Sequence, residues 1–199
     1  LSLHDALPIF NAKMIINATE ETPFSGDFLD ENAEYMEDLN ATQEELEQEL
    51  SEVVKTDRDN NIMLFGTELN ITGEAKDLIM AAGSKVTSKA LGSYAFMAAS
   101  KLNVSGEIFN DTFAVGNEIE IIGNINRDLY ALGNQIDIDG LVGRDVYYGG
   151  EELNILGTIN GNVYFAGSKV YVSSDAVIKG DLNLNATSID IREGASIGG

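Results

Sequence analysis

The sequence predicts an all-β fold: a single-stranded parallel β-helix (a β-solenoid) of about eight coils of ~17 residues, preceded by a short N-terminal α-helix. Three observations carry this reading. A small residue returns at Gly66, Gly83, Ala99, Gly116, Gly133, Gly150, Gly167 and Ala186, at intervals of 17, 16, 17, 17, 17, 17 and 19 residues. Self-similarity at a short fixed period marks a stack in which each unit buries its apolar face only against its neighbours. After the small residue the chain alternates polar and apolar, as in Glu68-Leu69-Asn70-Ile71, Glu118-Ile119-Glu120-Ile121 and Glu152-Leu153-Asn154-Ile155, the period of a strand with one dry and one wet face. Recurrent glycine and β-branched residues at this spacing give no 3.6-residue stripe, which excludes helix.

From the N-terminus, residues 1–9 (LSLHDALPI) share no pattern with the rest and read as a non-native, adapter-like stretch without an initiator Met. The true N-terminus and any signal peptide are then expected upstream. The only histidine, His4, falls here and receives no catalytic role. Residues 10–41 are acidic and aperiodic, which suits a solvated, disordered lead. Thr42 to Glu45 forms a capping-box pattern ahead of Leu46, Leu50, Val53 and Val54, at i, i+4, i+7 and i+8. An acidic amphipathic helix over 42–57 is expected to cap the first coil, whose unpaired edges would otherwise invite aggregation; a separate binding motif is the other reading.

Residues 58–199 carry the solenoid, which is expected to continue beyond Gly199. Three short strands with tight corners fill one coil, and eight coils about 4.8 Å apart make a stack roughly 38 Å long. Corners fall at Gly106, Gly123, Gly140 and Gly157, each followed two residues later by Ile108, Ile125, Val142 or Ile159; glycine is expected there for the positive φ of a sharp corner. The first strand of each coil is apolar on both faces. Ile62, Ile79, Ala95, Thr112, Leu129, Val146, Val163 and Leu182 are placed inside. Met63, Met80, Phe96, Phe113, Tyr130, Tyr147 and Tyr164, ending at Asn183, then point outward as a candidate interaction face. Such a stripe exceeds the few hundred Å² of apolar patch usual on a soluble monomer. The N-terminal segment could cover it, the ring ladder could shield itself, or another solenoid or an envelope protein could pack against it.

Composition excludes several classes. The net charge of -21 repels phosphate backbones and anionic headgroups, so nucleic acid is not an expected partner. Cysteine is absent, which removes disulfides, thiol catalysis and Cys-ligated zinc. No apolar run reaches the roughly 18–20 residues that span a bilayer, so membrane association would need segments outside this sequence.

The one constellation resembling a site is an acidic column opening the coils: Asp111, Asp128, Asp145, Asn162 and Asp181, with Asn61 at the matching early position. Carboxylates about 5 Å apart could attract calcium, which makes Asp111, Asp128, Asp145 and Asp181 weak metal candidates. The competing reading is structural: Asp and Asn accept hydrogen bonds from turn backbone, and Arg127 and Arg144 stand next to Asp128 and Asp145 to offset their charge. No catalytic residue and no cofactor is assigned. The period of 17 does not sustain a six-residue acyltransferase phase, and no phosphate loop, nucleophile elbow or metal cluster appears.

The units NRDLYALG, GRDVYYGG and KGDLNLNA, with the terminal REGASIGG, resemble the bactofilins, the bacterial polymer-forming cytoskeletal proteins, over about residues 59–199. The resemblance implies a right-handed β-helix that polymerises end to end without nucleotide and often associates with the membrane. It departs from that group in its long acidic lead and its more apolar outward column. The expected function is a non-enzymatic, self-associating scaffold organising cell-envelope or membrane-associated machinery in a bacterium, with a cytoplasmic site as the alternative location. The other function considered is an exported surface-binding or adhesive module, calcium-associated through the acidic column.

Overall fold

The structure, a computed structural model, describes residues 61–199. The adapter-like segment, the acidic lead and the helix expected at 42–57 lie outside the described residues. From Ile62 onward every element is a β-strand and every pairing is parallel. The partners of Ile62 run Ile79, Ala95, Thr112, Leu129, Val146, Val163 and Leu182, so the chain winds through eight coils with the spacing read from the sequence.

Each coil has three sides. In the middle coils the first two join in one long strand, as in Thr112–Ile121, Leu129–Ile138, Val146–Ile155 and Val163–Val172. The third side is a two-residue strand, such as Asn124–Ile125 or Leu141–Val142. These form a 10-stranded and a 7-stranded sheet. The corner between the first two sides is visible as a slip of parity: Thr112 and Ala114 are buried, Asn117 and Glu118 are both exposed, and Ile119 and Ile121 are buried again. Two successive outward residues turn the chain without breaking the ladder.

The core is the column-by-column sum of the inward residues. Leu102, Ile119, Ile136 and Leu153 stack on the second side, and Ile108, Ile125, Val142 and Ile159 on the third, all essentially inaccessible to solvent. Burying such a side chain is worth about 1.5–3 kcal/mol, so a rung contributing several of them is stable only with neighbours above and below. Departures from the 17-residue period sit at corners. The 16-residue coil is one residue short between Gly92 and Ala95, where the core narrows to Ser88, Ala90 and Ala95. The longest coil absorbs its extra residues in a turn closed by Ala176 N donating to Ser173 O at 3.1 Å.

The corner glycines have a different reason from the one expected. None of Gly106, Gly123, Gly140 and Gly157 has a left-handed φ; among the described residues the positive-φ glycines are Gly73 (100°) and Gly194 (107°). What requires glycine is close approach along the stack. A Cβ on Gly123 would fall on the carbonyl oxygen of Gly106, one on Gly140 on that of Gly123, and one on Gly157 on that of Gly140. The missing side chain lets consecutive rungs keep hydrogen-bonding distance at the corner.

Candidate functional site

Parallel, in-register stacking places the same side chain position once per rung. On the outward face of the first side, this builds an aromatic file. Phe96 and Phe113 stack with ring centroids 4.6 Å apart, Phe113 and Tyr130 4.9 Å, Tyr130 and Tyr147 5.0 Å, and Tyr147 and Tyr164 4.9 Å, all within 10° of parallel. Met63 and Met80 extend it toward the first coil and Asn183 ends it. The rung spacing of about 4.8 Å is close to a comfortable ring separation, and each stacked pair adds about 0.5–1.5 kcal/mol. Ring faces are thereby turned on one another, and edges and hydroxyls point outward. A sugar or base therefore has no free ring face to stack on along the interior of the file.

A second outward column runs beside the first: Phe65, Ala82, Ala98, Val115, Leu132, Gly149, Ala166 and Asn185. Sequence reasoning missed it because alanine and glycine make most of it read as background. Its prominent members are conspicuous, with Leu132 61% and Phe65 57% exposed. Beside the Tyr file, where this column shrinks to Gly149 and Ala166, lies an open groove edged by Leu132. The face made by both columns bears no charged side chain over eight rungs. Charge begins on the adjoining side, where Lys85 meets Glu68 at 2.7 Å and Lys101 meets Glu118 at 2.8 Å. Glu118 also raises the Lys101 ammonium pKa. Such exposed pairs add little stability; they set opposite charges on neighbouring rungs at Glu68 and Lys85 and at Lys101 and Glu118, while Lys85 and Lys101 stand on adjacent rungs with like charge.

No family model, curated protein or solved structure matches this chain. What the face and its borders can do therefore rests on their geometry.

The acidic column forms a ladder of side chain to backbone bonds between rungs. Asp111 Oδ1 accepts from the Asp128 N–H (3.2 Å), Asp128 Oδ1 from Asp145 (3.0 Å), Asp145 Oδ1 from Asn162 (2.7 Å) and Asn162 Oδ1 from Asp181 (2.9 Å). Asn61 does the same at the first rung for the N–H groups of Asp77 and Leu78. The arginines act differently from the expectation: Arg127 approaches Asp111, and Arg144 approaches Asp128, each at 3.7 Å and each one coil back from its sequence neighbour. The side chain leans along the stack, so the nearest carboxylate is the preceding rung's. Oδ1 of Asp111, Asp128 and Asp145 each has a defined backbone donor, and among the described residues no group of three or more His, Cys, Asp or Glu is placed to hold a metal ion.

Two hydroxyls stand out. Tyr148, on the inward column, is buried and donates to Gly133 O at 3.1 Å. Burial first, then the charges of Asp137, Glu152 and Glu151, push its pKa up to about 12. Tyr147, in the outward file, is raised by desolvation among its neighbours and next by the Asp145 charge; its hydroxyl reaches Asp145 Oδ2 at 3.4 Å.

Proposed function

We propose that this chain is a non-enzymatic structural scaffold of the bactofilin kind, which extends by adding rung to rung end to end and presents its flanks to envelope or membrane-associated machinery. The observation that supports this best is sameness along the axis: the core columns, the Asx ladder and the aromatic file each repeat from coil to coil in one register. The polar groups that could have made a site serve the stack itself. Ile189 and Ile191 of the last described coil stand in file with the buried Val170 and Val172, so the apolar columns keep their register through that rung. A parallel edge with unpaired N–H and C=O groups can accept another, and a contact that does not close gives a filament.

Negative-stain electron microscopy of the full chain, purified without nucleotide, tests this. Filaments are expected, and disrupting the last rung with Ile189→Asp should shorten or abolish them. Discrete particles at all concentrations would overturn the scaffold reading in favour of a surface-binding module.

A further inference from the structure

The uncharged face has the extent and the internal pattern of an interface. Eight of its residues are 37–61% exposed, namely Met63, Phe65, Phe96, Phe113, Val115, Leu132, Tyr147 and Tyr164. At roughly 200 Å² for a full side chain of this kind, they alone leave on the order of 800 Å² accessible. That is above the largest apolar patch of a typical monomer and equals the roughly 800 Å² per partner of a standard protein interface.

We propose that two copies of this chain pair side by side through this face, with their stacking axes parallel and a twofold axis running along the stack between them. The partner is a second copy for two reasons. A chain of net charge -21 repels another copy wherever carboxylates meet, and the first side is where eight consecutive rungs present no charge at all. The face is also self-complementary in size at four of its eight rungs, where Met80, Phe96, Tyr147 and Tyr164 stand beside Ala82, Ala98, Gly149 and Ala166. A twofold parallel to the stack lays the bulky file of one copy over the small column of its mate at the same rung. Phe96 then faces the partner's Ala98, Tyr147 the partner's Gly149, and Tyr164 the partner's Ala166.

The last rung fixes the direction. Asn183 and Asn185 are the polar pair on the face, and in the parallel arrangement they meet their own kind and can pair amide to amide. An antiparallel arrangement sets these amides against apolar rungs or leaves them outside the contact, and it stacks the bulky file on itself. This pairing is independent of end-on growth: it holds for single stacks and makes any filament two stacks wide.

The test uses the full chain and its Leu132→Glu variant, in sedimentation velocity and in negative-stain images. Wild-type protein is expected to sediment at twice the chain mass or, where it polymerises, to give filaments two stacks wide. Leu132→Glu should halve the mass or the width while keeping the β circular-dichroism spectrum. Val115→Lys serves the same purpose if Leu132→Glu does not fold. Wild-type chains that remain monomeric, filaments one stack wide, or variants that keep the paired mass overturn the proposal. Because cysteine is absent, direction is read from a mixture of the single variants Tyr164→Cys and Ala166→Cys. An oxidative cross-link stronger in the mixture than in either variant alone is expected; its absence in a paired species overturns the parallel arrangement. Dimers without filaments would leave the pairing standing and remove end-on growth, and filaments one stack wide would do the reverse.

Discussion

Replacing Gly140 by alanine tests the close stacking of rungs most sharply. The added Cβ would fall on the carbonyl oxygen of Gly123 and stand 2.7 Å from the carbonyl carbon of Ile122. Both are backbone atoms and cannot swing aside, so the two rungs must part locally by on the order of 1 Å. The bonds in the way are Gly140 N to Ile121 O at 3.0 Å and Leu141 N to Gly123 O at 3.3 Å, and both would lengthen beyond useful range. Two lost backbone bonds at about 1 kcal/mol each, with overpacking strain of about 1–3 kcal/mol, give a loss of about 3–5 kcal/mol. Gly149→Ala is the internal control. Within the chain its Cβ points away from the core and meets only the Leu132 Cδ2 at 3.1 Å, an exposed side chain that can turn away, and a strand glycine replaced by alanine gains about 0.5–1 kcal/mol in the stability of the single chain. Urea denaturation followed by circular dichroism, with the m-value checked for constancy, measures both. If the two variants shift the midpoint alike, the corner glycines are not there for rung-to-rung contact.

Other consequences are open to measurement. Asp145→Ala strands the Asn162 N–H, which Asp145 holds at 2.7 Å, and should cost about 1–3 kcal/mol, whereas Asp145→Asn keeps an acceptor and should stay within about 1 kcal/mol of wild type by urea denaturation. Calcium should bind neither variant differently from wild type in calorimetry; a calcium-dependent heat lost on Asp145→Asn would revive the metal reading. Thr112 is wholly buried and its hydroxyl has no hydrogen-bond partner, so Thr112→Val, of the same shape, should raise stability by about 1 kcal/mol. Tyr148 binds its proton more tightly folded than unfolded, with a pKa of about 12 against about 10 in the unfolded chain. Its contribution is intact below about pH 10 and should be lost as pH rises toward about 12, by about 2–3 kcal/mol. The difference between wild type and Tyr148→Phe across that window isolates it, and parallel pH curves would contradict the assignment. Tyr147→Lys removes two stacked pairs and should cost about 1–3 kcal/mol while leaving the β spectrum unchanged.

The solenoid was legible because its information is columnar. Ile62, Ile79 and Leu129 can be assigned to one interior position by counting, and once they are inside, Met63 and Tyr130 must be outside. Even the irregular coils were visible as intervals of 16 and 19. Less legible was everything that depends on what lies directly above or below. The demand for glycine at Gly123 comes from the Gly106 carbonyl one rung away, which a local turn argument does not contain. Arg144 neighbours Asp145 in sequence but pairs with Asp128, because the nearest charge in a stack is the preceding rung's. The Asx column was noticed for its carboxylates, yet its work is to accept the next rung's N–H. The apolar column beside the aromatic file escaped notice because small residues carry no signal until Val115 and Leu132 rise out of it.

Scaffold, face and pairing all require matching residues of successive repeats to lie in file. Pulsed electron–electron spin resonance on the cysteine-free chain, spin-labelled at Phe96→Cys and Tyr164→Cys and diluted with unlabelled protein, measures this across four rungs. A single narrow distance near the ~19 Å of four rung spacings is the expected result. A broad distribution, or a distance displaced by one or more rungs, would contradict the stack on which the scaffold, the face and the pairing are built.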